Sequence, residues 1–404
     1  MAEPLLENIT VVGASLAGLR AVETLRREGF PGRLTLVGAE PHLPYDRPPL
    51  SKELLAGTWE HDQIVLRKAP YAELELELYL GNPAAALDVG KRTVTLATGI
   101  EIAWDGLVIA TGSQPRLLPN TPPLDGLYTL RTLDDCFGIR TRLDAGARVC
   151  VIGAGFIGAE VAAACRSRGL DVTVLEMLEQ PMVRGVGSVI GSVLAELHRD
   201  QGVDLRCSVA VDAIEGGGKV ERVRLVGGAV VECDLVLVAI GAVPTTDWLI
   251  GSALTLDDGV VCDSSLLATP LVVAAGDVCR WPNALFGGDL MRIEHWTNAA
   301  EQGVFAAHRL LSGDAETPFA PVPFVWSDQY GIKIQCAGRF TGTDRMELVH
   351  GALSDHRFVV IFENDGVISG VLAFNQPRQV MLYRRMIAER ASFSDALSFA
   401  AANQ

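Results

Sequence analysis

A glycine-rich turn set between a β-rich run and a helical run occurs twice in this chain, and that repetition limits the possible folds more than any other feature. The first copy reads Asn8 to Val12, then Gly13-Ala14-Ser15-Leu16-Ala17-Gly18, then a helical stretch from Leu19 to Glu28. The second runs from Arg148 to Ile152, through Gly153-Ala154-Gly155-Phe156-Ile157-Gly158, into a helical stretch from Glu160 to Arg168. Strand, glycine turn and helix in that order open a βαβ unit that binds a dinucleotide. The first glycine allows the tight turn, and the last lets the helix pack closely on the strand. The helix N-terminus then offers its amides and positive dipole end to a pyrophosphate. Each copy leads to a second strand ending near an acid that can accept hydrogen bonds from ribose hydroxyls. Glu40 lies 22 residues beyond Gly18, and Glu176 lies 18 residues beyond Gly158.

The two copies differ in one position. The second is a complete GxGxxG, whereas the first has Ser15 as its middle residue, a hydroxymethyl where backbone should approach phosphate. Its strand, helix and acid nonetheless assign Gly13, Ser15, Leu16, Ala17, Gly18 and Glu40 to one dinucleotide. Gly153, Gly155, Phe156, Ile157, Gly158 and Glu176 are assigned to the other. Glu176 bonds the 2′- and 3′-hydroxyls of a ribose and repels a 2′-phosphate. The next residues are Met177, Leu178 and Glu179, so no arginine follows immediately; Arg184 is the nearby cation. NADH is therefore expected over NADPH. Two dinucleotides in one chain imply that they meet, and a nicotinamide handing hydride to a flavin is the obvious chemistry. The expected fold is α/β, with two Rossmann-like domains.

Composition removes several other classes. The 404 residues allow two or three domains, and 49% hydrophobic with 21% charged residues fits an ordered protein. A net charge of −15 makes general nucleic-acid binding unfavourable. Met1-Ala2-Glu3-Pro4 lacks a signal-peptide pattern, and no run approaches the ~20 apolar residues of a membrane span, so a cytoplasmic location without membrane is expected. The eight cysteines are never closer than 14 positions, which excludes CxxC and short-spaced zinc patterns. No metal is expected. Residues such as Cys150 and Cys262 lie in apolar runs and read as packed, inert thiols.

Further segments carry a family resemblance: Pro44-Tyr45-Asp46-Arg47-Pro48-Pro49-Leu50-Ser51-Lys52, Ala110-Thr111-Gly112, Leu130-Arg131-Thr132-Leu133, Ala239-Ile240-Gly241-Ala242-Val243-Pro244, Ala274-Ala275-Gly276-Asp277-Val278, Arg292 to Asn298 and Phe324 to Gln329. With the two glycine turns, and in this order, they resemble the FAD-dependent ferredoxin reductases of bacterial oxygenase systems over almost the whole chain. These are relatives of the pyridine nucleotide-disulfide oxidoreductases that lack the redox disulfide. The resemblance implies an FAD domain over 1–113 and 247–320, an NAD domain over 114–246 and a small α+β C-terminal domain over 321–404.

It also implies residue roles. Lys52 would lie near flavin N5, with Glu160 reaching it from the NAD-domain helix as an ion pair that orients Lys52 and moderates its charge. Without that context, Glu160 reads as an acid favoured by the helix dipole, and the Pro44–Lys52 segment as a proline-rich surface loop with solvated cations. Asp277 would bind the ribityl hydroxyls. Glu294 opens an expected helix whose positive end faces the reduced flavin, and Trp296 and Trp326 match flavin-lining positions. Arg47, Ala84, Thr111, Gly112 and Arg131 match positions that approach FAD, and Glu160, Arg184 and Gly241 join the NAD-binding set. Strands are expected over Phe324 to Trp326 and Lys333 to Gln335. A hairpin is expected around Asn364-Asp365-Gly366, followed by a last helix from Gln379 to Arg390.

The resemblance implies hydride transfer from NADH to FAD, then single-electron transfer to a [2Fe–2S] ferredoxin. The alternatives are an NADH oxidase or diaphorase using oxygen or a quinone, and a redox-sensing flavoprotein. Thiol-dependent relatives place a redox cysteine early in the FAD domain or as CxxC in the nicotinamide domain; this chain has no cysteine before Cys136 and no CxxC. Residues 322–404 hold eight basic and eight acidic residues, so all of the −15 lies in the preceding 321. An acidic ferredoxin would be steered toward the neutral C-terminal segment. Arg384 and Arg385 on the expected last helix are candidate contacts, or else a solvated helix face complementing its dipole.

Overall fold

The structure is a computed structural model that describes residues 6–119, 121–313 and 316–403. It divides into two compact units. One contains residues up to Asp46, Ile64–Gln114 and Val243–Pro323; the other contains Arg47–Gln63, Pro115–Ala242 and the chain from Phe324 onward.

The first unit is built on a six-stranded sheet in the order Leu267–Thr269, Val272–Ala274, Gly106–Ile109, Asn8–Val12, Arg33–Val37, Leu76–Tyr79. All neighbours run parallel except the Leu267–Thr269 edge strand. Ile9, Val11, Leu34, Leu36, Leu107 and Val108 are fully buried, as expected of parallel strands covered on both faces. The helices Leu16–Arg27 and Trp296–Ser312 pack together. Their approach is close enough that a Cβ on Gly303 would lie 2.3 Å from the Ala17 carbonyl oxygen. The second helix starts two residues later than the sequence suggests: His295 is its N-cap, and Glu294 stands ahead of it, paired with Arg292 at 2.5 Å.

The second unit holds a five-stranded parallel sheet in the order Asp204–Arg206, Val172–Leu175, Val149–Ile152, Leu235–Val238, Leu127–Tyr128. It also holds an antiparallel sheet in the order Phe324–Gln329, Ile332–Gly338, Val367–Phe374, Arg357–Asn364, Arg345–Ala352. The hairpin at Asn364-Asp365-Gly366 is present, with Asp365 at φ 51° and Gly366 at φ 77°, the left-handed pair that a tight turn requires. After the expected helix, observed as Pro377–Ala388, comes a further one, Phe393–Ala402, capped by Ser392. Arg384 and Arg385 therefore lie on the penultimate helix.

Residues 114–246 and 321–404, expected as separate domains, share a core in this unit. Val186, Ile190, Val193 and Leu194 of the helix Val183–Asp200 pack with Ile334, Cys336, Phe358, Phe362 and Phe374 of the antiparallel sheet. Residues 47–63, expected within the FAD domain, cluster with this unit as well.

A buried polar pair joins the same two elements. His198 Nδ1 lies 2.7 Å from the Tyr330 hydroxyl, and His198 Nε2 is buried without a hydrogen-bond partner. Burial, with Arg199 adding to it, lowers the His198 pKa from 6.5 to about 4, and burial pushes Tyr330 up. Between those two values the unfolded chain binds the proton and the folded one does not, so stability is full above pH ~6.5 and falls as the pH drops toward 4. The full difference is about 3 kcal/mol, of which about 2 kcal/mol is lost by pH 5. We expect His198→Gln to remove about that share of the acid-dependent loss, measured by urea unfolding at pH 7.5 and 5.

Candidate functional site

The two glycine turns are sterically equivalent. A Cβ on Gly18 would lie 1.9 Å from the Gly13 carbonyl oxygen, and one on Gly158 would lie 2.0 Å from that of Gly153. The leading glycines, Gly13 at φ 122° and Gly153 at φ 103°, abut Ala110 and Ala239 just as closely. Glycine is required at all four positions. The middle positions diverge: Gly155 faces open space, while Ser15 caps Leu16–Arg27 in extended conformation without a side-chain cap bond. Neither helix has an acid in its first turn, which leaves both N-termini electrostatically suited to an anion.

Within the first unit, Tyr45 donates its hydroxyl to Glu40 at 2.5 Å. Thr111 donates to the Thr245 carbonyl at 2.9 Å, and Gly112 turns at φ 67°. Ser113 donates to Asp277 at 2.9 Å, and Trp296 Nε1 donates to Asp46 at 2.6 Å. Ala84 opens the strand Ala84–Asp88. Next to Trp296, His295 Nδ1, Asn298 Oδ1 and Gln302 Nε2 are buried without a protein hydrogen-bond partner. Orphaned buried polar atoms are costly. Together with the close-packed glycine turn and Glu40, they suit a polar dinucleotide such as FAD.

The second unit contains a buried polar cluster around Glu160. Glu160, 4% exposed, sits on the helix Phe156–Ser167 and accepts three hydrogen bonds. They come from Lys52 Nζ at 2.7 Å, Ser51 Oγ at 2.5 Å and Ser327 Oγ at 2.6 Å. Lys52 also donates to the Pro48 carbonyl at 3.1 Å, and Gln329 Nε2 backs Ser327 at 3.1 Å. The proline-stiffened segment thus delivers two neighbouring donors to one carboxylate, and the C-terminal sheet delivers the third. Neither serine is among the residues assigned from sequence. Both lie inside the quoted segments, but a serine hydroxyl leaves no periodic or spacing signal. Arg47 donates to the Arg131 carbonyl at 2.6 Å, and Trp326 stacks on Phe324 with centroids 6.2 Å apart.

On the nucleotide side of this unit, Glu176 accepts the backbone N–H of Ala154 at 2.8 Å and of Leu178 at 2.9 Å. The acid is thereby fixed beside the glycine turn, a fit for a dinucleotide ribose. Ile157 is 43% exposed, Phe156 half-buried and Arg184 exposed, and Gly241 turns at φ 102° with open space where a side chain would be. The candidate docking cations are engaged: Arg385 pairs with Glu389 at 2.7 Å, and Arg384 lies 5.6 Å from the Phe324 ring centre. All eight cysteines are free thiols. Burial pushes Cys136, Cys165 and Cys336 up to about 12, and Cys136 donates to the Leu50 carbonyl at 3.2 Å.

Comparison with known proteins gives a consistent picture. Residues 7–303 match the pyridine nucleotide-disulphide oxidoreductase family, and residues 324–402 match the reductase C-terminal family. The chain is 36% identical to rhodocoxin reductase of Rhodococcus erythropolis over 386 residues, covering 94% of this chain and 89% of that one. It is also 36% identical to the ferredoxin–NAD(+) reductase component of the p-cumate 2,3-dioxygenase system of Pseudomonas putida, covering 96% and 94%. Among solved structures it resembles the reductase in the covalent putidaredoxin reductase–putidaredoxin complex, with a TM-score of 0.91, 31% identity and 98% of each chain covered. The ferredoxin reductase for the CYP199A2 system from Rhodopseudomonas palustris gives 0.89 and 32%, covering 98% of this chain and all of that one (100%).

Removing one partner of a buried ion pair leaves the other charge uncompensated, at a cost of about 3 kcal/mol or more. Lys52→Met is expected to destabilise the protein by that amount, and Glu160→Gln in the same chain to recover more than half of it. Urea unfolding of the two single variants and the double variant checks this.

Proposed function

Because the chain belongs to the pyridine nucleotide-disulphide oxidoreductase family and carries a reductase C-terminal domain, we propose that it is an NADH-dependent, FAD-containing ferredoxin reductase. It takes hydride from NADH and delivers electrons one at a time to a [2Fe–2S] ferredoxin that supplies an oxygenase, a cytochrome P450 or a Rieske dioxygenase. The observation that carries this reading is the Lys52–Glu160 pair at 2.7 Å, in a chain with no cysteine before Cys136 and no CxxC to relay electrons through thiols. The protein works in the cytoplasm, in keeping with eight free cysteines and with the absence, among the described residues, of a helix long and apolar enough to cross a membrane.

FAD, when bound, supplies the conversion of a hydride into single electrons. The chain's own residues bind and orient it. The turn from Gly13 to Gly18 takes the pyrophosphate and Glu40 the adenosine ribose. Asp277 takes the ribityl chain, with Ala84, Thr111, Gly112, Glu294 and Trp296 around it. Arg47, Arg131 and Trp326 complete the set, and Lys52 places a cation by the redox-active edge of the ring. Gly153, Gly155, Phe156, Ile157, Gly158, Arg184 and Gly241 line the NADH site. Glu176 selects NADH because its anion accepts from ribose hydroxyls and repels a 2′-phosphate. No general base is required. The ferredoxin is steered by charge toward the neutral C-terminal segment, where Arg384 and Arg385 are contacts.

NADH-dependent cytochrome c reduction, assayed with each ferredoxin of the host in turn, tests the function. One ferredoxin should raise the rate about tenfold or more above oxygen consumption, a margin of roughly 1.4 kcal/mol in barrier. Turnover with oxygen or a quinone alone would overturn the reading, as would slow NADH oxidation with a long-lived charge-transfer complex. Losing even one charge-assisted hydrogen bond to ribose costs about 1.5–3 kcal/mol. We therefore expect Glu176→Ala to raise KM for NADH about tenfold or more with little change in kcat, measured in steady state.

A further inference from the structure

Resting on that reading, the reaction has a product that none of the roles above accounts for. NADH plus two one-electron acceptors gives NAD⁺, two reduced acceptors and one proton. The electrons leave singly, and the proton needs its own way from the interior to water.

Behind the Lys52–Glu160 pair lies a cavity of about 460 Å³ within the second unit. A water occupies about 30 Å³ of liquid, so the cavity takes a connected cluster rather than a single molecule. Both members of the pair line it, and charged and titratable groups come from three of the elements around it, the fourth giving Gln201. Glu53 comes from the 47–63 segment, Arg166 from the helix Phe156–Ser167, and Asp328 and Tyr330 from the C-terminal sheet and its turn. Two of these are committed elsewhere: Arg166 donates to the Gln201 and Leu170 carbonyls at 2.8 and 2.6 Å, and the Tyr330 hydroxyl faces His198 at 2.7 Å. Glu53 and Asp328 are the further carboxylates along the wall, Asp328 in a pair with Lys333 at 2.8 Å. Lys52 and Glu160 are nearly closed to water, at 11% and 4% side-chain exposure, whereas Asp328 is 36% exposed and its partner Lys333 45% exposed.

We propose that this cavity is the exit port for the proton. Lys52 Nζ gives a proton to Glu160 across their 2.7 Å hydrogen bond and is reprotonated by the proton the reaction releases. Glu160 passes its proton to cavity water, which carries it past Asp328 to bulk. Each transfer breaks one N–H or O–H bond and forms one, and the cluster returns to its starting charge. Ser51 and Ser327 are positioning residues that keep the Glu160 carboxylate turned between Lys52 and the cavity.

Ferricyanide as the one-electron acceptor separates this proposal from the identity of the ferredoxin. Proton release is followed with a pH-indicator dye in weak buffer, alongside ferricyanide reduction and flavin bleaching by NADH, in H₂O and D₂O. Ala164 lines the cavity one helical turn beyond Glu160 and carries no polar group, so Ala164→Leu narrows the port. Glu160→Gln, which is isosteric, interrupts the path at its inner end should the leucine disturb folding. In the wild type the dye should keep pace with ferricyanide. In both variants it should lag, with reoxidation slowed about tenfold and a larger solvent isotope effect, the low range of what positioned acid–base groups supply. Flavin bleaching in Ala164→Leu should stay within about twofold of wild type, because hydride transfer moves no proton through the port. Wild-type proton release and isotope effect in both variants would overturn the port. A wild-type holoprotein that NADH does not bleach would instead overturn the functional reading, and the port with it.

Discussion

A carboxylate with almost no exposure to water imposes the constraint on which much of the second unit depends. Taking Glu160 and Lys52 out of water costs several kcal/mol per ion, and their mutual attraction offsets this only if the remaining hydrogen-bonding capacity is met. Ser51, Lys52 and Ser327 meet it from stretches 109, 108 and 167 residues away in sequence. To bring them together, the 47–63 segment must lie on the helix Phe156–Ser167, and the strand Phe324–Gln329 must reach the same helix. The core that the antiparallel sheet shares with Val183–Asp200 supports that arrangement, and the kink at Gly187 belongs to it. The Gly187 backbone turns at φ 79° so closely against Gly342 that a Cβ would lie 3.0 Å from the Gly342 carbonyl oxygen. The apolar packing and the polar cluster thus require the same docking of sheet on helix.

The parts of the fold readable in the sequence are those with local causes. A glycine whose Cβ would strike the preceding turn must be glycine whatever the rest of the chain does, so both βαβ units and their acids were visible. The hairpin at Asp365-Gly366 has an equally local cause. The helix Val183–Asp200 was not seen, because Gly185, Gly187 and Gly191 interrupt its apolar period and its N-cap, Met182, is left-handed at φ 54°. The final helix did carry a signal: Ser392 accepts from the Asp395 N–H at 3.0 Å, a Ser-x-x-Asp start of the kind that marks helix N-termini. Proximity of Lys52 to Glu160 came only through family resemblance, since 108 residues separate them and neither lies in a pattern that points to the other. Ser51 and Ser327 had no signal at all. A hydroxyl becomes functional through what folds against it.

The cysteines show how a negative feature of a sequence acquires a physical meaning. Thiol-based electron transfer needs a thiolate, and a thiolate needs a polar or cationic setting that lowers its pKa. Cys136 touches the Lys52 segment, yet its thiol is spent on the Leu50 carbonyl and burial holds it up at about 12. Arg140 is the cation that acts on the Cys136 thiol, and burial outweighs it; Lys52, further along the segment, is bound to a carboxylate. The charge that a disulfide reductase would use to stabilise a thiolate is answered instead by Glu160. With that charge balanced inside the protein, the neighbourhood of Lys52 offers electrons no covalent carrier to a substrate. Electrons from a bound flavin would then leave without a thiol relay, and the proposed ferredoxin partner would take them one at a time. Such an outlet separates electrons from protons, and on the proposal above a buried ion pair that opens on a space for a cluster of waters is more than a structural tie.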